Sequence, residues 1–236
     1  MTLSIVAPVY NEVANLRPLV DEIVDVLGAT GTPFEILLVD DGSTDGSGPA
    51  IDALAREDPR VRGIHFKANR GQTSAFDAGF RHARGDVIVT IDADLQNDPR
   101  DIPALVASLE GHDAAVGYRR ERRDDAVRRL SSRIANGVRN RLSGDDIIDT
   151  GCSLKAFRAA TLTKVKLFDG MHRFLPTLIK MEGGSVVQVP VNHRSRRAGE
   201  SKYGVWNRVF RSFADLLAVR WMKRRSLRYE VERHDA

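Results

Sequence analysis

Apolar positions along the chain fall into short unbroken runs that alternate with longer stretches of helical spacing. Leu3 to Val9 is a near-continuous apolar run ending at Asn11, the form of a strand buried on both faces. Leu16, Leu19, Val20, Ile23, Val24 and Leu27 then recur on one side of a 3.6-residue period, which predicts a helix over 15–27 stopped by Gly28. The alternation repeats. Residues 34–39 read as a second strand, cut by Asp40-Asp41-Gly42-Ser43; 45–56 read as a helix and 61–66 as a third strand. Residues 73–83 read as a helix, 86–91 as a fourth strand ending on Asp92, 102–109 as a helix and 114–117 as a short strand. This βαβα order predicts an α/β domain on a mostly parallel sheet covered by helices.

Composition narrows the class. A chain of 236 residues, 42% hydrophobic and 29% charged, buries one core without staples. The single cysteine, Cys152, excludes an internal disulfide and reads as a small buried residue with no catalytic part. The N-terminal run has no basic flank and turns polar at Asn11-Glu12, so it does not read as a signal peptide. No stretch of about 18 uncharged apolar residues occurs, so no membrane span is expected. The charge is uneven. Between Arg194 and Arg228 eleven Lys/Arg face only Glu200 and Asp215, a local +9 in a chain of net +4. That end of the chain calls for an anionic partner: phosphate, an anionic membrane surface or nucleic acid.

Three acidic motifs share one position, directly after an apolar strand: Glu12 after the first, Asp40 and Asp41 after the second, Asp92 and Asp94 after the fourth. Parallel sheets bind ligands at the carboxyl ends of their strands, so these carboxylates are expected to converge on one crevice. Any one of them alone reads equally as a turn or helix cap, and Ser43-Thr44-Asp45 is balanced between the two roles. Asp92-Ala93-Asp94 is the sharpest motif. Two carboxylates one residue apart on an extended turn suit a hard, oxygen-loving cation such as Mg²⁺, which fills its shell with phosphate oxygens, and Gln96 offers a further neutral oxygen.

Basic residues concentrate in two places. Nine arginines lie between Arg119 and Arg141, and most read as a solvated helix face; Arg119, at the end of a strand, does not. From Val205 to Arg228, apolar residues including Trp206, Phe210, Phe213, Leu217 and Trp221 recur at helical spacing and are closed by Lys223-Arg224-Arg225. The two tryptophans fall about 60° apart around an ideal helix. This describes an interfacial helix on an anionic membrane, or a helix packed on its own domain or a dimer partner. His172-Arg173-Phe174-Leu175-Pro176 opens a stretch balanced between core packing and shaping a ligand entrance.

Pro8-Val-Tyr-Asn-Glu12, Val39-Asp-Asp-Gly-Ser-Thr-Asp-Gly46 and Asp92-Ala-Asp-Leu-Gln96 together resemble the inverting glycosyltransferases of family 2, which have the GT-A fold. Asn69-Arg-Gly-Gln-Thr-Ser-Ala75, Gly117-Tyr-Arg119, Asp149-Thr-Gly-Cys152 and Arg196-Arg-Ala-Gly-Glu-Ser-Lys-Tyr203 are similar to the polyprenyl-phosphate branch, whose best-known member is dolichyl-phosphate mannose synthase. The resemblance runs from about Leu3 to Tyr203 and implies a catalytic domain over 1–203 with a basic amphipathic helical segment over 204–236. It implies that Pro8, Tyr10 and Glu12 line the nucleotide pocket, with Asp40 or Asp41 on the base or ribose. Asp92, Ala93 and Asp94 would touch the nucleotide-sugar, and Asp94, Gln96 and Asp92 would hold Mg²⁺ or Mn²⁺. Arg119, Arg196 and Lys202 would meet donor phosphates, and Arg133 the acceptor phosphate.

The expected reaction is transfer of a hexose from a GDP- or UDP-sugar to a polyprenyl phosphate at the cytoplasmic membrane face. The expected enzyme is peripheral, attached at the surface or through a separate membrane protein, with a homo-oligomer through the C-terminal helix as another use of that segment. A phosphate acceptor is already anionic and needs no strong base, whereas a saccharide or protein hydroxyl, the acceptor of soluble family 2 enzymes, needs one. Asp149 is the one candidate for that base, with an acceptor-positioning role favoured. A nucleic-acid-binding module would have no use for Asp92, Asp94 and Gln96, so no nucleic-acid partner is expected.

Overall fold

The computed structural model describes residues 1–119, 146–195 and 205–227, with only the backbone course of 205–212. The arginine-dense segment with Arg133, the Arg196–Lys202 loop and the side chain of Trp206 lie outside the described residues.

Strands β1 (Leu3–Val9), β2 (Phe34–Asp40), β3 (Val61–His65) and β4 (Val87–Thr90) alternate with helices α1 (Val13–Gly28), α2 (Ser47–Glu57) and α3 (Gln72–His82). A 3₁₀ turn at Pro99–Asp101 leads into α4 (Ile102–Ala107), then β5 (Ala114–Arg119). After the undescribed stretch come β6 (Lys155–Arg158), α5 (Ala159–Leu162), a 3₁₀ turn at Met171–Phe174, α6 (Leu175–Met181) and β7 (Val186–Val191); α7 spans Val205–Arg225. The predicted elements are present, with ends moved by a few residues. Helix α1 begins at Val13 rather than Asn15, and β4 closes at Thr90, two residues before Asp92.

Among the described residues the sheet has seven strands in the order β3-β2-β1-β4-β6-β5-β7. The first four are parallel; β6 is inserted antiparallel between β4 and β5, and β7 runs parallel to β5. The expected α/β, mostly parallel, helix-covered sheet is what forms. The antiparallel β6 was not expected, because Lys155-Ala-Phe-Arg158 is too short and too charged to read as a strand alone. Pairing on both edges makes it one.

Period-two alternation divides the core. Ile5, Ala7, Ile36, Leu38, Val87 and Val89 face α1, α2 and α4, while Val6, Leu37, Val39 and Ile88 face α3 and α6. Both faces are covered, so β1 and β2 are buried nearly throughout and read as apolar runs. A third, smaller cluster joins Leu216 and Val219 of α7 to Met171, Phe174 and Leu178. At Gly170, with φ +80°, an added Cβ would lie 2.3 Å from an Asp215 carboxylate oxygen, so α7 approaches this turn as closely as a bare backbone allows.

Phe213, Leu217 and Trp221 point the other way, at 49%, 45% and 61% exposure. At 100° per residue their stripe lies about 130° around the helix from Leu216 and Val219. The helix both packs on its own domain and presents an outer apolar row beside Arg224 and Arg225. No described helix is long and apolar enough to cross a membrane.

Candidate active site

Strands β2, β1 and β4 are adjacent and parallel, so their carboxyl ends share one edge of the sheet. That edge carries Glu12, Asp40, Asp41, Asp92 and Asp94. Strand β5 has the same direction as β4, because β6 is antiparallel to both, so Arg119 emerges there too. Asp149 arrives from the segment preceding β6. Pro8 is paired with Val39 inside the sheet, and Tyr10 follows β1 half-buried.

Much of the polar set first builds the loops. Asn11 takes a left-handed φ of 55°; its N–H donates to Ser43 Oγ (3.0 Å) and its Oδ1 accepts from Thr44 N (2.8 Å). Asp45 accepts from Val13 N at 3.1 Å and from Ser47 N and Oγ at 2.9 and 2.6 Å. Against its own burial, these bonds hold the Asp45 carboxyl below the usual range. Ser43-Thr44-Asp45 thus has a turn-building role: Asp45 accepts the first amide of α1, at Val13, and Ser43 that of Asn11 before it. Glu12 Oε2 accepts from Asn15 Nδ2 at 2.6 Å.

Asp40 and Asp41 divide similar work. Asp40 accepts from Ser43 N (2.9 Å) and faces His65 Nδ1 (3.3 Å), whose other nitrogen lies 3.1 Å from Asp52. Asp41 is buried and receives Arg70 N at 2.6 Å and Gly71 N at 2.8 Å. Burial, and then the neighbouring Asp40 charge, push its carboxyl up even so. Gly42, at φ +71°, lets this turn meet the 68–69 backbone, where an added Cβ would fall 2.6 Å from Ala68 C. Asp41 thus fixes the start of α3, and the first residue of that helix, Gln72, donates to Asp92 Oδ1 at 2.8 Å.

The Asp92–Gln96 turn is the electrostatic centre. Burial first, and the charge of Asp94 second, raise the Asp92 carboxyl to about 6, although hydrogen bonds from Ser153 and Gln72 and the nearby Lys155 oppose this. Two carboxylates that resist being charged together, one of them only 8% exposed, are a donor set that a divalent cation relieves. Lys155, 4% exposed, lies on the β6 face shared with Phe157, among Asp92, Asp149 and Arg173; burial lowers its ammonium. Leu95, between Asp94 and Gln96, holds φ +62°, a strained conformation for a residue with a Cβ. Gln96 N–H donates to Asp94 Oδ1 at 3.2 Å.

Arg119 and Asp149 form a bidentate pair, Nε to Oδ2 at 2.6 Å and Nη2 to Oδ1 at 2.9 Å, with Gly151 N also donating to Oδ1 at 3.1 Å. Asp149 holds the arginine fork at the sheet edge. His172 meets Thr73 Oγ1 at 2.7 Å while Phe174 and Leu175 are buried, so this stretch packs the 3₁₀ turn and α6. Cys152 is buried and its thiol is pushed up to about 11, which makes it inert. Sequence reasoning passed over Ser153, Lys155 and Asp98, and met Gln72 only inside the Asn69–Ala75 motif and Arg194 only as the start of the basic run. Lys155 carried a signal of its own, a charge inside an apolar run.

The glycosyl transferase family 2 model matches residues 4–165. The chain is 39% identical over 232 residues to a dodecaprenyl-phosphate galacturonate synthase of Rhizobium johnstonii, covering 95% of this chain and 68% of the relative. It is 42% identical over 217 residues to an undecaprenyl-phosphate 4-deoxy-4-formamido-L-arabinose transferase of Shewanella sediminis, covering 91% and 65%. The chain thus spans about two thirds of the length of these relatives. Among solved structures, glucosyl-3-phosphoglycerate synthase of Mycobacterium tuberculosis with Mn²⁺, UDP-glucose and phosphoglyceric acid superposes with a TM-score of 0.71 at 22% identity, covering 93% of this chain and 80% of that one. The same enzyme with Mg²⁺ and UDP gives 0.70, covering 94% and 79%. The architecture is the GT-A fold, and the chain belongs to glycosyl transferase family 2.

Proposed function

We propose that this glycosyltransferase moves a sugar from a nucleoside-diphosphate donor to a polyprenyl phosphate, with inversion at the anomeric carbon. The observation that carries the reading is the meeting, on one sheet edge, of the mutually repelling Asp92–Asp94 pair and the Arg119 fork held by Asp149. The names of the two polyprenyl-phosphate relatives support the acceptor class.

In this reading Asp94 and Gln96, with Asp92, hold Mg²⁺ or Mn²⁺, which when bound neutralises charge on the leaving diphosphate. Pro8, Tyr10 and Glu12 border the nucleotide, and Asp40 and Asp41 serve it through the loops they hold. Asp92 and Ala93 border the sugar. Arg119, with Arg196 and Lys202, meets donor phosphates, and Arg133 meets the acceptor phosphate. The acceptor oxygen attacks C1 from the face opposite the diphosphate, the C1–O bond to the diphosphate breaks, and no proton moves. Asp149, occupied by Arg119, is a positioning residue rather than a base. The domain over 1–203 carries the chemistry. The segment over 204–236 brings it to an anionic membrane surface, on the cytoplasmic face, through the exposed Phe213, Leu217 and Trp221.

The test is a panel of labelled GDP- and UDP-sugars offered with undecaprenyl phosphate, with and without Mn²⁺ or Mg²⁺, for wild type and Asp94→Ala. Metal-dependent transfer to the lipid, lost in the variant, is expected. Transfer to a saccharide hydroxyl but not to the lipid would overturn the acceptor; near-normal turnover by Asp94→Ala would overturn the metal assignment.

A further inference from the structure

We propose that Arg194 is a positioning residue for the metal motif, holding the Asp94–Gln96 turn in the shape that accepts a divalent cation. The inference rests on the reading of Asp94 and Gln96 as cation ligands. Arg194 belongs to the segment leaving β7, and that segment is fastened to the turn after the metal motif at every residue from 192 to 194. Asn192 donates through N and Nδ2 to the two oxygens of Asp101, at 2.7 and 2.8 Å. His193 bridges to Asn97 in antiparallel fashion, and Asn97 Oδ1 accepts from Ser153 Oγ at 2.7 Å. Arg194 N–H donates to the Gln96 carbonyl at 2.8 Å.

The guanidinium then spans two elements. Nη1 bonds Glu22 of α1 at 2.6 Å, and Nη2 bonds Asp98 at 2.7 Å. Asp98 is almost wholly enclosed, and its second partner, Arg100, is largely exposed. Arg194 therefore ties the Asp98 end of the turn to α1, where Arg100 leads only toward solvent. A planar fork can satisfy two carboxylates on different elements; a lysine ammonium is a point charge on a flexible stem.

Two features connect this clamp to the cation ligands. Gln96 is shared: its carbonyl accepts from the main-chain N–H of Arg194, whose place the guanidinium anchors, while its own N–H donates to Asp94. Leu95, between the two ligands, sits at φ +62°, and such a conformation persists only where the surroundings over-determine it. The buried Leu95 side chain supplies one side of that restraint and the Arg194 clamp the other. Loosening the clamp frees Gln96 and lets the turn relax away from the ligand geometry.

The experiment is a titration of the full-length protein with Mn²⁺ followed by electron paramagnetic resonance, in saturating UDP and in parallel GDP, with melting curves on the same samples. Arg194→Ala is expected to raise the Mn²⁺ half-saturation concentration roughly tenfold, the size typical of residues that orient metal ligands from behind. Arg194→Lys is expected to recover only part of that loss. Glu22→Ala, which removes one leg and keeps the arginine, should shift the value the same way by a smaller factor and serves if the Arg194 alanine variant does not fold. Wild-type Mn²⁺ binding by Arg194→Ala with a lowered melting temperature would overturn the proposal and leave a purely structural clamp, and full rescue by lysine would overturn the fork. Asp94→Ala separates the two levels. If it too binds Mn²⁺ normally, the ligand assignment falls; if it alone loses Mn²⁺, only the clamp falls.

Discussion

Replacing Asp41 by alanine withdraws two hydrogen bonds from the loop that starts α3. The carboxylate is buried and receives Arg70 N at 2.6 Å and Gly71 N at 2.8 Å. An N–H left without its buried acceptor costs about 1–3 kcal/mol. Arg70 is exposed and Gly71 half-buried, so water can follow into the vacated space, and the low end applies to each. The total is then at most about 2 kcal/mol, because charged Asp41 is itself disfavoured by its burial and its loss returns part of the cost. For a chain of this size that corresponds to a melting temperature lower by roughly 4–8 °C, read by differential scanning fluorimetry. The loop carries Gln72 onto Asp92, so donor binding should weaken in the same variant at temperatures where it remains folded. Asp41→Asn keeps one acceptor oxygen and should lie between wild type and alanine in both measurements. A melting temperature within about 2 °C of wild type, together with abolished donor binding, would refute the scaffold argument and make Asp41 a direct ligand contact.

Other consequences can be measured alongside it. Glu35 joins β2 to Ser4 Oγ, Arg62 and Arg84 N, and these bonds overcome its burial and hold its carboxyl below the usual range. Its stabilising effect is therefore present above the unfolded carboxyl value and lost as pH falls through the folded one. Glu35→Gln should cost about 1–2 kcal/mol near neutrality and flatten the acid limb of a melting temperature–pH curve; an unchanged limb would count against it. Changing Phe213, Leu217 and Trp221 together to serine should release the protein from phosphatidylglycerol vesicles in a flotation assay without altering its fold. Retained flotation would reject the outer stripe of α7 as the membrane contact. Arg133→Ala should raise the KM for polyprenyl phosphate more than that for the nucleotide-sugar, and the reverse ranking would remove it from the acceptor phosphate.

The parallel half of the fold was legible because each element carried its own signal. Leu3–Val9 and Phe34–Asp40 are buried on both faces and are apolar except at Ser4, Glu35 and Asp40, and α1 shows its inward side in Leu16, Leu19, Ile23 and Leu27. Asp92-Ala93-Asp94 was legible because a strand's end is where its charges must sit. Strand β6 was not: four residues beginning with lysine become a strand only between β4 and β5, and nothing local records that pairing. The same reasoning separates the site residues. Asp45 was balanced between cap and ligand contact, and its capping partner, Val13, lies 32 positions away in the chain. Arg194 was visible only as one charge in a basic run, because its partners are Glu22 and Asp98. For α7, periodicity gave the helix, but which apolar residues face the domain depends on Met171, Phe174 and Leu178.

The reach of the Arg194–Glu22 bond, 172 positions along the chain, also bears on the order in which the protein is made. Contacts so distant in sequence form late, because the intervening chain must be ordered first. A ribosome delivers roughly 5–20 residues per second, so α1 and the Asp92–Gln96 turn emerge many seconds before residue 194. During that interval the parallel half can assemble while the turn still lacks its last restraint. The nascent chain thus carries its ligand side chains early and their fixed arrangement only later, when the residues following β7 arrive to close it.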